Sequence, residues 1–257
     1  IQKCVNVVSS SDTCLVRAGT YYELVSVPKS GTAASRITIK GERGASGEYL
    51  TVIDGGITQL TGWVQAPEIG SGVWKRSSPS WTVPVSGTTI YPSALTANGK
   101  SIWKINESNV NDQPISGDGG TWTQWISRSA TADCATSVGP WVLCWDGIEA
   151  LFAVKNGTLY LRFRNGDDPN AKTIRVAPGS YFSRMNPPEF APLFIRNQSY
   201  ITISDFELRG AEFGVVVSGQ AHNNIIENNI IRGGDINVYV YQTAADPFNG
   251  PQNTIIR

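Results

Sequence analysis

The sequence predicts an all-β protein in which stacked β coils form a solenoid that is interrupted by an antiparallel β module. First, its 257 residues include 26 glycines and 14 prolines, which favours many turns and few long helices. Second, short runs of β-branched residues alternate with turn residues towards both ends of the chain. Third, a segment near the C-terminus repeats with a period of 23 residues, which is typical of stacked coils.

Charge and hydropathy exclude two classes of partner. The chain carries 21 Lys and Arg against 21 Asp and Glu, whereas nucleic-acid binding depends on concentrated positive charge. Charged residues make up 16% of the chain, below the roughly 25% of an ordinary domain. No run approaches the roughly 18 apolar residues of a membrane span. We therefore expect neither a nucleic-acid nor a membrane partner.

Residues 1–56 are predicted to form the first coils. Four short apolar runs, at 14–17, 24–27, 36–40 and 51–53, each stop at or near a glycine or proline. Such runs are typical of short strands. None of them continues the i, i+3, i+4 spacing that a helix needs.

Residues 57–195 are predicted to form an inserted antiparallel β module with an aromatic core. All eight tryptophans fall between Trp63 and Trp145, and Trp supplies large buried area to small β cores. The alternating run Gly157–Phe163 is bounded on both sides by Asn-Gly pairs, which favour hairpin turns. An alternative is that the tryptophans form a sugar-binding platform.

Residues 196–257 return to the coils and carry the repeat. Phe213–Ser218 aligns with Ile236–Tyr241 at an offset of 23. At the same offset, Ile203, Asp205, Leu208, Arg209 and Gly210 align with Ile226, Asn228, Ile231, Arg232 and Gly233. Further copies are Asn253–Arg257 and Arg36–Ile39, the second of which echoes Tyr200–Ile203.

Asparagines recur at the predicted turns between these repeated strands, at positions 223, 224, 228 and 229. In a stack, equivalent residues align, so that side-chain amides can hydrogen-bond to the coils above and below. We therefore expect asparagine ladders along the turns.

Three segments, Asp12–Tyr21, Ser30–Gly41 and Ile53–Gly56, resemble the first coils of the right-handed parallel β-helix superfamily of pectate-lyase type. Gly157–Arg162 with Gly166–Asn170 is similar to a β module inserted in some members. The resemblance implies a right-handed parallel β-helix and a polysaccharide partner. It does not fix the reaction, because the superfamily includes polysaccharide lyases, glycoside hydrolases, epimerases, adhesins and phage tailspikes.

The cysteines form two local pairs, Cys4 with Cys14 and Cys134 with Cys144. This pattern favours two disulfides and an oxidising compartment, with free buried thiols as the alternative. The chain begins at Ile1 without an initiator methionine, as expected after signal-peptide removal or in a fragment. We expect a secreted or cell-surface protein.

Only two or three coils follow the predicted module, and the chain stops inside a predicted strand. Because an uncapped solenoid exposes strand edges and apolar interior, we expect the chain to be the N-terminal portion of a longer polypeptide, or its last coil to be capped by another chain or further copies.

A candidate sugar-binding strip lies on the last repeated strands. Alternation directs Val215, Val217, Val238 and Val240 inwards, and Val216, Ser218, Tyr239 and Tyr241 outwards. The predicted substrate-binding residues are Tyr239, Tyr241, Asp235 and Arg232, since rings stack on pyranose faces and charged groups fix hydroxyls or uronates. Alternatively, the tyrosines pack beneath residues 244–251.

No catalytic residue is assigned from the sequence. Asp205 and Glu207 would share a strand face about 7 Å apart, within the roughly 6.5–9.5 Å of an inverting hydrolase, but a solvated strand face explains them equally well. Asp167–Asn170 suits a calcium loop by its oxygen ligands, although an ordinary turn is favoured, and no other cofactor is evident. His222 is interpreted as a turn residue, and the cysteines lack zinc-ligand spacing.

The sequence thus favours a polysaccharide-active β-helix protein of lyase or glycoside hydrolase type. The alternatives are a structural or adhesive solenoid and a carbohydrate-binding module without catalysis.

Overall fold

The computed structural model describes residues 1–82, 89–104, 149–178, 190–232, 236–241 and 250–257. It is nearly all β, as predicted, with one short helix, α1 (Gln2–Val7). The strands of the coils are β1 (Thr13–Val16), β2 (Gly19–Tyr21), β3 (Val25–Val27), β4 (Ile37–Gly41), β5 (Thr51–Asp54), β16 (Leu193–Arg196), β17 (Ile201–Ser204), β18 (Glu207–Arg209), β19 (Phe213–Ser218), β20 (Ile225–Glu227), β21 (Ile230–Arg232), β22 (Ile236–Tyr241) and β23 (Ile255–Ile256). Between β5 and β16 lie β6 (Thr58–Leu60), β7 (Val64–Gln65), β8 (Val73–Ser77), β9 (Trp81–Thr82), β10 (Thr89–Ile90), β11 (Pro92–Ala97), β12 (Lys100–Lys104), β13 (Ala150–Lys155), β14 (Thr158–Phe163) and β15 (Ile174–Pro178).

The coil strands form three all-parallel sheets. Sheet 1 has the order β1-β4-β17-β20-β23, sheet 2 the order β2-β5-β18-β21, and sheet 3 the order β3-β16-β19-β22. Successive strands along the chain therefore step from one sheet to the next and return one coil further on. This is the arrangement of a parallel β-helix, and the predicted fold class is confirmed.

The strand register confirms the repeat. Val215 pairs with Val238 in sheet 3, and Ile203 pairs with Ile226 in sheet 1, both in parallel. The earlier copy also aligns, because Ile37 pairs with Ile201. The sheet 1 strands β20 and β23 pair as the copy at 253–257 predicted.

The inward faces of the three sheets share one apolar core. It contains fully buried residues from every sheet, such as Ile37, Ile53, Leu193, Ile203, Leu208, Val215 and Val217. Val238 packs against this core, as predicted. Val240 was predicted inside but is 43% exposed, because β22 is the outermost described strand of sheet 3 and the structure describes no strand beyond it.

The short helix α1 covers the first coil, a feature that the sequence did not reveal. Val5 is fully buried in the β-helix core, and the disulfide between Cys4 and Cys14 ties the helix to β1. The Gln2 side chain accepts a hydrogen bond from the Ser26 N–H and donates one to the Ser26 carbonyl, both at 2.8 Å. The Gln2 amide thus provides hydrogen-bond partners for Ser26 on the outer edge of β3, where backbone N–H and C=O groups would otherwise be unpaired.

Asparagines connect neighbouring coils at the turns, as expected. The Asn224 Oδ1 accepts from the N–H of Ile201 at 2.9 Å, and the Asn229 Oδ1 accepts from the N–H of Phe206 at 3.0 Å. Each pair is separated by 23 residues. Asn223 and Asn228 adopt left-handed conformations, with φ of 56° and 52°, which asparagine tolerates better than most residues.

The strands between β5 and β16 form an eight-stranded sheet of order β6-β15-β11-β12-β13-β14-β8-β7 and a two-stranded sheet of β9 and β10. The pairs are antiparallel, as predicted, except that β12 and β13 are parallel. A parallel pair cannot be joined by a tight turn, and β12 and β13 are accordingly far apart in the sequence, with β12 ending at Lys104 and β13 beginning at Ala150. The hairpin of β13 and β14 turns at Asn156 and Gly157, as the Asn-Gly pair predicted.

The core of this inserted sheet is only partly aromatic. Trp63, Phe152 and Phe163 are buried in it, and Trp74 and Trp81 pack at its edge. The other members are aliphatic or Ala: Leu60, Leu95, Ala97, Ile102, Ala150, Leu159, Leu161, Ile174 and Val176, with Val154 at the edge. The remaining five tryptophan side chains lie outside the described residues, so the sugar-platform alternative stays a hypothesis.

Two arginine contacts join the inserted sheet to the β-helix. The Arg175 guanidinium of β15 lies 3.4 Å from the Tyr22 ring centroid and donates to the Gly56 carbonyl at 3.0 Å. On the β11–β12 turn, a Cβ at Gly99 would lie 3.1 Å from the Arg209 Nη2 of sheet 2, so glycine allows the turn to approach this side chain closely.

Among the residues that the structure describes, no helix is long and apolar enough to cross a membrane. The Cys4–Cys14 disulfide confirms one predicted pairing and is typical of an oxidising compartment. Cys134 and Cys144 lie outside the described residues, and their pairing stays a prediction.

Candidate functional site

The two predicted tyrosines lie together on the outer face of sheet 3. Tyr239 and Tyr241 are alternate residues of β22, so their side chains leave the same side of the strand. Their rings stack, with centroids 5.5 Å apart and an interplanar angle of 17°. Both side chains are half-buried, and the pair therefore presents an aromatic surface that is only partly open to solvent.

A layer of apolar side chains supports Tyr239 from below. The ring of buried Phe213 lies 5.3 Å from the Tyr239 ring at a tilt of 55°. Phe194, Val216 and Ala191 complete this cluster, and all three are buried. Val216, which the sequence placed facing solvent, does point away from the β-helix core, but it is covered. Packing against side chains from neighbouring strands thus holds the Tyr239 ring in place.

Burial affects the titration of one ring of this pair, Tyr239. Burial, and secondarily the neighbouring phenol of Tyr241, raises the pKa of Tyr239 above its ordinary value of 10.0. Both effects oppose a negative charge on the ring oxygen. The raised pKa extends to more alkaline pH the range over which Tyr239 keeps its phenolic O–H.

Strand register adds a polar row beside the tyrosines. Arg196 pairs with Ser218, and Ser218 pairs with Tyr241, so the three residues cross sheet 3 side by side. Strands lie about 4.8 Å apart, which puts the Arg196 backbone about 10 Å from that of Tyr241. Ser218 is fully buried, and no hydrogen-bond partner of its Oγ is found among the described residues. Arg196 and Phe194 were not among the predicted site residues, although their alternation on one strand would have placed them on the same face.

The structure does not bring the whole predicted strip together. Arg232 lies on β21 in sheet 2, where its Nε is 3.8 Å from a carboxylate oxygen of Glu207. The tyrosines lie on the next sheet around the coil. Asp235 lies outside the described residues, so its role stays a prediction.

Sheet 2 carries a charged cluster on its outer face. Asp54 is 1% exposed and accepts hydrogen bonds from the Arg209 Nε at 3.0 Å and the Gly56 N–H at 2.9 Å. Glu207 lies 3.5 Å from the Arg209 Nη1. Burial of a carboxylate is costly without such hydrogen-bond and ion-pair partners. These contacts connect strands of adjacent coils. The Asp54 carboxylate faces Arg209 and the Gly56 N–H, not solvent.

Asp205 and Glu207 do not share a strand face, contrary to the sequence expectation. Asp205 lies in the turn between β17 and β18 with φ of 66°, and Glu207 begins β18. Their partners also differ. Asp205 contacts Lys40 at 3.6 Å and Arg43 at 3.9 Å. A left-handed turn residue breaks the alternation on which the expectation rested.

The other motifs have local roles. The Asp168 carboxylate accepts hydrogen bonds from the N–H and the side-chain amide of Asn170, at 2.8 and 2.9 Å. Asp167 pairs with Lys172 at 2.8 Å. His222 donates its backbone N–H to the Ser199 Oγ in a turn. In the part of the chain that is described, no group of three or more His, Cys, Asp or Glu residues is placed to hold a metal ion.

Comparison with known proteins supports the fold. No protein-family model and no curated protein matches the sequence. A solved structure described as the complex of XylC with xylose matches with a TM-score of 0.51 and 17% sequence identity. The match covers 97% of this chain and 40% of that chain, so the present chain spans two fifths of its length. At this identity the likeness concerns the fold alone.

Proposed function

We propose that this chain binds an extracellular polysaccharide on the outer face of sheet 3, and that Tyr239 and Tyr241 form the contact surface. The observation that carries the proposal is the stacked pair of tyrosines supported by Phe213. Aromatic rings with a polar tip supply contact area at low entropic cost, and their hydroxyls bond to the ligand. Sugars offer both an apolar ring face and hydroxyls.

Two further observations support this proposal. The structural neighbour is described as bound to xylose, which makes a pentose-containing polysaccharide the first ligand to test. The Cys4–Cys14 disulfide fits an extracellular location, where polysaccharides are met. In this proposal, residues 1–56 and 196–257 supply the β-helix that carries the surface, and residues 57–195 form a separate module.

The ion pairs of sheet 2 favour binding over hydrolysis by that sheet. Asp54 is buried against Arg209, and Glu207 lies between Arg209 and Arg232. A glycoside hydrolase needs two carboxylates that reach one glycosidic bond, and in this cluster the carboxylates face arginines. Lyase or hydrolase action therefore stays a finer proposal, to be tested in the same experiment.

The test is retention on a panel of insoluble polysaccharides that includes xylan, cellulose and pectin, followed by calorimetric titration with xylo-oligosaccharides. Burial of an aromatic ring against a ligand is worth about 1.5–3 kcal/mol, so Tyr241→Ala is expected to weaken binding by about tenfold or more. Tyr241→Phe keeps the ring and is expected to retain most of the affinity. Tyr91→Ala is the matched control, because Tyr91 is 38% exposed and lies on the inserted module.

The proposal fails if the wild-type chain binds no polysaccharide of the panel, or if Tyr241→Ala binds as tightly as Tyr91→Ala. Release of reducing ends, or of unsaturated products, from the same polysaccharides would add catalysis to binding. Retention without release would leave a carbohydrate-binding protein.

A further inference from the structure

Tyr200 holds a backbone conformation that is unusual for its side chain. It lies in the turn between β16 of sheet 3 and β17 of sheet 1, directly before β17, and its φ is 59°. This left-handed region is uncommon for residues other than glycine, and a bulky residue in it is a genuine outlier. Such conformations persist only where the surrounding structure enforces them, and they cluster at functional sites.

The repeat shows which residue the turn itself prefers. The strand pairing of sheet 1 aligns Tyr200 with Asn223 and Asn253 in the next two coils. Both asparagines are left-handed as well, with φ of 56° and 52°, and asparagine tolerates this conformation better than tyrosine does. The Asn253 Nδ2 also donates to the Asn223 Oδ1 at 3.1 Å, a bond along the stack for which tyrosine lacks the amide. The fold therefore favours asparagine at position 200.

The contacts of Tyr200 among the described residues do not explain an aromatic side chain at this position. The residue is half-buried, but in that part of the chain it is not among the side chains that pack against the β-helix core, and no hydrogen bond or ring contact of its side chain is found there. Its phenol interacts electrostatically with Arg36. The Arg36 guanidinium is held by its own hydrogen bonds to Thr202 and to the carbonyls of Ile201 and Asn223, so its position does not depend on Tyr200.

Neutral polar groups line the turn that carries Tyr200. The Ser30 hydroxyl of the preceding coil donates to the Gln198 Oε1 at 2.8 Å and accepts from the Ser199 N–H at 3.0 Å. Ser30 is exposed, and Gln198 and Ser199 are half-buried. An aromatic ring beside hydroxyl and amide groups suits a sugar, which offers an apolar ring face together with hydroxyls.

The turn adjoins the polar row of sheet 3 that ends at Tyr241. Tyr200 follows Arg196, the last residue of β16, by four positions, so their Cα atoms lie at most about 14 Å apart. Arg196 begins the row that leads through Ser218 to Tyr241. From these observations we infer that Tyr200 is a further aromatic contact for the polysaccharide, on the turn between sheet 3 and sheet 1. This inference rests on the proposed function and places the contact two coils away from β22.

The experiment measures depletion isotherms on xylan, cellulose and pectin, and urea unfolding of the same full-chain variants. Tyr200→Asn removes the ring and supplies the residue that the two equivalent turns use. We expect it to weaken binding to the retained polysaccharide about tenfold, as for loss of a buried aromatic contact, while the urea midpoint stays the same or rises. Tyr200→Phe keeps the ring and is expected to keep most of the affinity. Tyr91→Asn is the matched control, because Tyr91 is 38% exposed and lies on the inserted module.

Loss of affinity without loss of stability distinguishes a ligand contact from a structural role. Affinity of Tyr200→Asn equal to that of Tyr91→Asn, or a urea midpoint below that of the wild-type chain, would overturn this inference, and a loss in Tyr241→Ala would show that the surface on sheet 3 nevertheless holds. Weakened binding in Tyr200→Asn but not in Tyr241→Ala would support the contact at Tyr200 and reject that surface. Retention of the wild-type chain on none of the three polysaccharides would overturn both.

Discussion

Replacing Asn224 by Ala tests whether the asparagine ladder stabilises the β-helix. Asn224 is fully buried in the turn before β20. Its Oδ1 accepts from the Ile201 N–H at 2.9 Å, and its Nδ2 donates to the Gln198 carbonyl at 3.0 Å. Asn224→Ala leaves one backbone donor and one backbone acceptor without their partners, at about 1–3 kcal/mol each. We expect the free energy of unfolding to fall by about 3 kcal/mol.

The assay is urea unfolding followed by two signals. All eight tryptophans fall between residues 63 and 145, so tryptophan fluorescence reports on the inserted part of the chain, while far-UV circular dichroism also reports on the coils. The loss should be visible in the dichroism transition. Asn237→Ala is the control, because Asn237 is exposed on β22 and such changes stay within about 0.5 kcal/mol. A loss in Asn224→Ala no larger than in Asn237→Ala would refute the reasoning.

Two further predictions concern the first coil and the tyrosines. Cys4→Ser with Cys14→Ser removes the disulfide that ties α1 to β1, and the short closed loop predicts a loss of about 3 kcal/mol in urea unfolding; an unchanged midpoint would contradict this. Because burial raises the pKa of Tyr239, the unfolded chain loses this proton first as pH rises past about 10, so the free energy of unfolding falls there. Tyr239→Phe should show a shallower fall between about pH 9 and pH 11, and an identical fall would exclude the assignment.

The stacking of the coils was predictable because the repeat imposes the same environment on residues 23 positions apart. Each strand of the repeated coils has a neighbour with an equivalent side chain, so aligning Val215 with Val238 in the sequence also aligns them in the sheet. The repeat likewise predicted that Asn224 would hydrogen-bond across coils, because a side-chain amide can bond to backbone groups of the neighbouring coil. Periodicity is thus informative where the structure itself is periodic.

Features that break the period could not be predicted in this way. Helix α1 has six residues, too few to show a helical pattern, and its place is fixed by burial of Val5 at the end of the stack. Asp205 adopts a left-handed conformation that ends one strand before the next begins. In the sequence, the alternation of side chains gives no sign of this corner. For this reason Asp205 and Glu207 were expected on one face of a single strand.

The candidate site was predictable only in part, for the same reason. Tyr239 and Tyr241 were placed correctly on the outer side of β22, since alternation holds within one strand. Arg232 is close to them in sequence, but a corner of the coil separates the strands, so it lies with Glu207 on sheet 2. The Phe213 ring beneath Tyr239 depends on the three-dimensional packing of sheet 3 and has no simple sequence signal.

The insertion leaves the coil register undisturbed because its two ends meet. It interrupts the second coil between β5 and β16, yet Leu193 still pairs with Val25 and Val215. Lengthening a connection from a few residues to more than a hundred is about five doublings, or roughly 3 kcal/mol if the connection were flexible. Here the first inserted strand, β6, pairs with the last, β15, through Leu60 and Ile174. The pairing of β6 with β15 therefore returns the chain close to where it left the coil, so that β16 can take its place beside β3.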